Sequence, residues 1–321
     1  FLIAVLAIFL NFIFVLSLHL GAEGLLLSSL IANVSGILYL GIKKRIYQDI
    51  KIRWFQKKLL KEMLSYSIPL VPNYLSWWIV GASDKSVVNY FLGVSQNGIL
   101  SVSQKFSTAY TNFYSIFNLA WTEHASVHQK DKDSETYYSY VIETSFRVLS
   151  CACMGMIALV ALAFSYLIHE KFASAYYQIP IYMLSSFLYS VIGIYSVVYI
   201  ALKKTGDIAK TSFLAAVINL TMNIGLIQYI GLYASSISSV VAYGVMLAIR
   251  YVDIKKYMQI RIKKTMVIVV VIGMIVTFYV YYLQNTWMSI VHLISVMLLA
   301  IYLNRKILKE VIKTIKQRIG K

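Results

Sequence analysis

About ten runs of roughly 20 apolar residues, separated by short polar segments, dominate the sequence. They cover about 1–18, 24–42, 65–92, 98–122, 139–168, 176–201, 208–230, 232–252, 265–284 and 287–304. A helix rises about 1.5 Å per residue, so such a run spans the roughly 30 Å hydrocarbon core of a bilayer. Inside that core every backbone N–H and C=O must be paired within the protein, which leaves helices or a closed barrel. Barrel strands are about ten residues long and alternate in polarity, and these runs do neither. Charged residues make up 13% of the chain and hydrophobic ones 59%. An ordinary soluble domain carries about 25% charged residues, so a soluble enzyme and a disordered chain are excluded. The 3 prolines leave long helices unbroken. The expected fold class is all-α, a polytopic membrane protein with about ten transmembrane helices.

The segments between runs alternate in charge. One set comprises 43–62, 125–138, 202–210, 250–264 and the tail from Arg305, and holds 26 of the 30 Lys and Arg residues. The other set holds only Lys171, and Lys85, Lys105 and Arg147 fall inside runs. Cytoplasmic loops carry the excess of Lys and Arg, so the first set is expected in the cytoplasm. The N-terminal end of this chain and its C-terminus would then both be cytoplasmic. The net charge of +17 is therefore topology, not a nucleic-acid footprint. Cys151 and Cys153 lie in an apolar run and read as packing residues. The chain opens on Phe1 inside an apolar run, with no Met and no basic segment ahead of it. It reads as a fragment whose N-terminal portion lies outside the sequence, not as a signal peptide. The segment 43–62 interleaves basic and apolar residues, as an amphipathic helix on the inner membrane face does.

One hairpin recurs. Gly21, Gly24, Ser28, Ser29 and Ala32 match Gly231, Ala234, Ser238, Ser239 and Ala242 at a constant offset of 210 residues, each copy preceded by an Asn, Asn11 or Asn223. Run seven repeats run one, six runs later, an even number, so the repeat is parallel and its axis lies along the membrane normal.

Several stretches between Leu60 and Trp121 point to a family. They are Ile68-Pro69-Leu70-Val71-Pro72, Ser83-Asp84-Lys85, Phe91-Leu92-Gly93, Asn97-Gly98-Ile99 and Phe117-Asn118-Leu119-Ala120-Trp121. With the repeated Asn…Gly-x-x-Gly hairpin, they resemble bacterial polysaccharide flippases, which export O-antigen and capsule repeat units. That family belongs to the superfamily of multidrug, oligosaccharidyl-lipid and polysaccharide exporters. The resemblance implies a two-lobe transporter of twelve to fourteen helices. It makes 1–42 the last two helices of the N-terminal lobe and 43–64 a basic amphipathic cytoplasmic linker. It makes 65–252 the C-terminal six-helix lobe and 253–321 two additional helices with a basic tail. It also implies the bacterial plasma (inner) membrane as location.

Charges inside a bilayer cost about 2.5–3.5 kcal/mol each on insertion scales, so they mark function or pairing. Asp84 and Lys85 are adjacent and cannot face each other on a helix. Lys85 shares a face with Tyr74 and Trp78, and Asp84 with Trp77. Lys105 belongs to the stripe Ser101, Lys105, Thr108, Asn112, Ser115, whose spacings of four and three trace one helix face. Arg147 follows Glu143 by one turn, which permits an ion pair. Lys85, Lys105, Arg147, Asp84, Asn112, Thr108, Trp77, Trp78 and Tyr74 are the candidates for a substrate cavity. Against each stands a structural reading: snorkelling, interhelical hydrogen bonds or a local ion pair. Asn219 and Asn223, four apart, read as interhelical bonds.

The expected function is flipping of polyprenyl-diphosphate-linked oligosaccharide repeat units by alternating access through a cationic central cavity. Its partners are the lipid-linked substrate, membrane lipids and other polysaccharide-assembly membrane proteins. Export of drugs or other small molecules is the alternative, and a polymerase or glycosyltransferase a distant one, since the outer loops are too short to form a catalytic face. No nucleophile–base pair, metal-ligand spacing or phosphate loop occurs, so no catalytic residue and no metal is assigned. No cofactor is expected, with coupling to a proton or sodium gradient left open.

Overall fold

The computed structural model describes residues 2–45, 55–129, 131, 133–310 and 313. Two compact units divide at residue 63, and each is described by itself.

The smaller unit is a helical hairpin. Helix α1 (Leu2–Asn11) runs into a π-helical turn (Phe12–Ser17), and α2 (Gly21–Lys43) returns beside it. Gly24, Ser28, Ala32 and Gly36, four residues apart, are the buried positions of α2. Small side chains on one stripe let two backbones approach closely in lipid. The Ser28 hydroxyl meets Asn11 Oδ1 across the hairpin. The expected inner-face helix over 43–62 lies partly on residues 46–54, outside the described residues. Beyond them, α3 (Lys57–Ser67) has no buried residue.

The larger unit holds α4 (Leu70–Leu92), α5 (Val94–His128), α6 (Ser134–Leu167), α7 (Ile179–Ala201), α8 (Thr205–Ile230), α9 (Tyr233–Asp253), α10 (Lys264–Leu283) and α11 (Thr286–Leu303). Helix α7 is buried on nearly every side, as its continuous apolar and small-residue sequence requires. It packs against α5 and α9, while α8 lies between α4 and α9. Helices α10 and α11 pack on α6. Tyr176 and Tyr281 fix the far end of α10: their rings stack at 4.2 Å, and each hydroxyl donates to the other's carbonyl at 3.0 and 2.9 Å. Helices α4 and α8 run parallel at constant register. Thr205 bonds Tyr66 O, Ser212 bonds Asn73 and Asn223 bonds Asp84, each pair 139 residues apart.

All the elements among the described residues are helical, as expected. The count of about ten membrane crossings is corrected: seven helices among the described residues are long and apolar enough to span a bilayer. They are α2, α6, α7 with the turn before it, α8, α9, α10 and α11. The first run forms only a short apolar helix, Ile3–Ser17. Helices α4 and α5, of 23 and 35 residues, are long enough but carry too many polar residues. Run length alone registers neither the break nor the polar faces.

The repeated hairpin has matching internal geometry. Gly21 and Gly231 both sit at positive φ, +53° and +57°, which disfavours any residue with a Cβ. Ser238, the counterpart of Ser28, accepts from Asn219 Nδ2 at 3.2 Å, whereas Ser28 donates to Asn11 Oδ1, and Asn223, the Asn matched to Asn11, accepts from Ser235 at 3.1 Å.

Candidate functional site

A cavity of about 370 Å³ opens between α4, α5, α7 and α9. Helix α4 contributes Trp77, Gly81 and Lys85, spaced by four along one face. Helix α5 contributes Gln104, Ser107, Thr108 and Thr111. Helix α7 brings Tyr182, Ser185, Ser186 and Tyr189, and α9 brings Ser239 and Tyr243. Lys85 is the one charged residue in this lining, and its side chain is exposed. Trp77 stands edge-on to Tyr189, with centroids 4.8 Å apart, and lies 5.5 Å from Tyr243. Hydroxyls, one amide, three tyrosines, a tryptophan and one ammonium group thus face a single space. Hydroxyls and amides can exchange hydrogen bonds with polyols, aromatic faces can stack on sugar rings, and the ammonium can meet an anion.

Asp84 points the other way. It is 3% exposed, accepts from Asn223 Nδ2 at 3.1 Å and from Ser239 Oγ at 3.4 Å. No ion pair joins Asp84 to Lys85 among the described residues, as adjacency on a helix dictates. Around Asp84 the network continues through α8 and α9. Ser235 donates to Asn223 Oδ1 at 3.1 Å, Asn219 donates to Ser239 at 3.1 Å, and Ser83 donates to Asn219 Oδ1 at 3.2 Å. Asn219 and Asn223 therefore bridge helices, as their spacing suggested. Ser239 belongs to both the network and the cavity wall, so the buried carboxylate lies one hydroxyl behind the cavity. Tyr182 lines the cavity, and its hydroxyl is buried without a hydrogen-bond partner.

Arg250 forms a second buried polar centre. By sequence it opens the basic segment 250–264; the structure places it in the last turn of α9, completely buried. Its Nε donates to Thr211 at 3.0 Å, and its Nη2 to Ser212 at 2.8 Å and Ile208 O at 3.2 Å, while Ser196 receives Nη1. All four partners are neutral. Ser212 passes the chain on to Asn73 Oδ1 at 2.5 Å, so α4, α7, α8 and α9 meet here. Ser239, Ala242, Met246 and Arg250 are buried on one face of α9 at spacings of three and four. That spacing is the signal that could have placed Arg250 inside.

The nine candidates separate. Trp77, Lys85 and Thr108 line the cavity together. Tyr74, Trp78, Lys105 and Asn112 are exposed on the larger unit outside that lining, Asp84 is behind its wall, and Arg147 is elsewhere. On α5 the predicted polar stripe does hold one face: Lys105, Thr108, Asn112 and Ser115 are all exposed, while Ser103, Ser107, Tyr110 and Tyr114 turn inward. Arg147 pairs with Glu143 at 3.5 Å and donates to Thr144 at 3.0 Å, in a separate pocket between α6, α10 and the end of α11. Gln104, Tyr182, Ser186, Tyr189 and Tyr243 were missed. Each is uncharged and sits in an apolar run, so no residue type sets it apart before the helices are packed. Among the described residues no group of three or more His, Cys, Asp or Glu is placed to hold a metal.

Comparison with known proteins gives a family and a fold. A sequence profile described as "Polysaccharide biosynthesis protein" matches residues 1–179. No curated protein matches the sequence. Two solved structures share the fold. A crystal structure of a MATE mutant superposes with a TM-score of 0.59 at 21% identity, covering 79% of this chain and 61% of that one. An inward closed conformation of the lipid II flippase MurJ gives 0.65 at 16% identity, covering 96% of this chain and 67% of that one. This chain therefore spans less than two thirds of the MATE protein.

Proposed function

Since the chain belongs to the polysaccharide biosynthesis protein family, we propose that it is part of a flippase that carries polyprenyl-diphosphate-linked oligosaccharides across the bacterial inner membrane. The observation that carries this reading is the lining of the α4–α5–α7–α9 cavity, where Lys85 is the only charge among hydroxyls, an amide and aromatic rings. The ammonium group offers a charge-assisted hydrogen bond to the diphosphate. Trp77, Tyr189 and Tyr243 offer faces to sugar rings, and the hydroxyls of α5 and α7 offer partners to sugar hydroxyls. The polyprenyl tail stays in the bilayer while the head crosses by alternating access. No covalent step is involved, so no enzymatic activity is assigned. Lys105, Asn112, Trp78 and Tyr74, exposed on the same unit, are proposed to extend the polar path.

Asp84 is proposed as the coupling group. A buried carboxylate held by neutral donors can be neutralised by a proton or by a sodium ion, and Ser239 links it to the cavity wall. The basic segments are proposed to face the cytoplasm, with both ends of this chain on that side. Polysaccharide-assembly proteins of the same membrane are the proposed partners. Export of cationic drugs is disfavoured by a lining whose one charge is positive. The test is flipping of a fluorescent polyprenyl-diphosphate oligosaccharide in proteoliposomes by the full-length protein containing this chain. Uptake of a cationic dye instead of the lipid-linked sugar would assign the chain to drug export.

A further inference from the structure

The second cavity points to a different ligand. About 540 Å³ opens between α6, the extended segment before α10, and the end of α11. Five cations line it, Arg147, Arg261, Lys263, Arg305 and Lys306, against one carboxylate, Glu143, which is already paired with Arg147. The site is built rather than incidental. Backbone N–H of Gln259 donates to Glu135 and that of Arg261 to Ser139, both at 3.0 Å, which lays the segment along α6. Met258 and Ile260 anchor it, at 6% and 7% exposure. Two lining side chains keep polar atoms that are buried and unpartnered, Arg147 Nε and Asn304 Oδ1, a state that folded proteins rarely tolerate. Apolar side chains continue from the pocket along the membrane-facing helices: Val269 lines it, and Ile272 and Ile275 beyond it on α10 are 55% and 63% exposed. On α11, Tyr302 lines it, and Leu298 and Ile301 are 62% and 55% exposed.

We propose that this pocket is a binding site for the phosphate headgroup of an anionic phospholipid, with the acyl chains lying along α10 and α11. Surplus positive charge at the end of membrane-spanning helices, continuous with a lipid-facing apolar surface, is the chemistry that selects such a lipid. The site shares no lining residue with the Lys85 cavity, so it stands whether or not the flippase reading does.

Native mass spectrometry of the full-length protein in mild detergent tests it, with phosphatidylglycerol and phosphatidylcholine of matched chains as probes. Wild type is expected to retain phosphatidylglycerol at least about tenfold better than phosphatidylcholine. The double variant Arg261→Gln, Arg305→Gln, both at exposed positions, should lose about fivefold per neutralised cation, and Lys85→Gln should lose nothing. Should the double variant not fold, Arg305→Gln alone reads a loss of about fivefold. Equal retention of the two lipids, no loss in the variants, or a loss confined to Lys85→Gln overturns the proposal. So does a polyprenyl diphosphate that displaces phosphatidylglycerol at equimolar amount, because the pocket would then belong to the substrate.

Discussion

Asn223 donates its side-chain amide to Asp84 at 3.1 Å, joining α8 to α4 inside the six helices α4 to α9. The contact decides which of two adjacent charged residues faces the cavity. Asp84 is held inward, and Lys85, one residue on, is left at the cavity wall. Removing the Asp84 charge while keeping its shape, Asp84→Asn, should leave thermal stability within about 1 kcal/mol of wild type, since a neutral amide no longer carries the burial cost of an ion. Gradient-driven transport by that variant should fall at least about tenfold. Wild-type transport by the Asn variant would remove Asp84 from coupling. By contrast Asn223→Ala leaves the carboxylate buried with one long hydrogen bond, and should cost about 1–3 kcal/mol.

Arg250 should be the costliest buried side chain to truncate. Arg250→Ala strands Ser196, Thr211 and Ser212 and opens a void, an expected loss of about 3–5 kcal/mol. Ser212→Ala removes only the link to Asn73 and one partner of Arg250, at about 1–2 kcal/mol. Melting temperatures in detergent order the two; equal melting temperatures would mean that Arg250 is not the centre of that junction.

How much of this was legible in the sequence depends on what kind of signal each feature leaves. Some helix positions were read to within a residue, since the run 265–284 is α10 at 264–283 and 232–252 is α9 at 233–253, whereas the run 98–122 falls short of α5 at 94–128. Apolar run length is a direct consequence of the solvent, so it survives without knowledge of packing. The number of crossings did not survive, because α4 and α5 carry polar residues in a run that length alone counts as a span. The family was legible from the motifs of α4 and α5, and the matching profile agrees. The candidate site was legible at Lys85, which charge marked, and at Trp77 and Thr108, which share a helix face with a charged neighbour or a polar stripe. Tyr182, Tyr189 and Tyr243 come together from two helices that the sequence does not relate. Arg250 falls by sequence in the basic segment 250–264, and only the buried face it shares with Met246 and Ala242 says otherwise.

The hairpin repeat makes a backbone prediction. Gly231→Ala and Gly21→Ala each force a Cβ into a left-handed position, at about 1–2 kcal/mol. Both should lower the melting temperature, and Gly41→Ala, on a helix and with open space around it, should not. A loss at Gly41 equal to that at Gly231 would indicate that the turn conformation is not what the two glycines supply.

Orientation is checked by cysteine labelling in a background where the buried Cys151 and Cys153 are serine. A cysteine at Gln96, at the α4–α5 turn, should react with an impermeant reagent added outside intact cells, and one at Lys255 should not. The reverse pattern would invert the proposed topology.

Lys85 is proposed to give the cavity its attraction for a diphosphate. The most direct measurement is the initial rate of flipping of a polyprenyl-diphosphate oligosaccharide in proteoliposomes, at matched protein level, for wild type, Lys85→Gln and Lys85→Arg. The expected result is at least about a tenfold loss for Gln, from one charge-assisted hydrogen bond of about 1.5–3 kcal/mol, and partial recovery for Arg, which keeps the charge with a different geometry. Lys85→Gln flipping at the wild-type rate would contradict it.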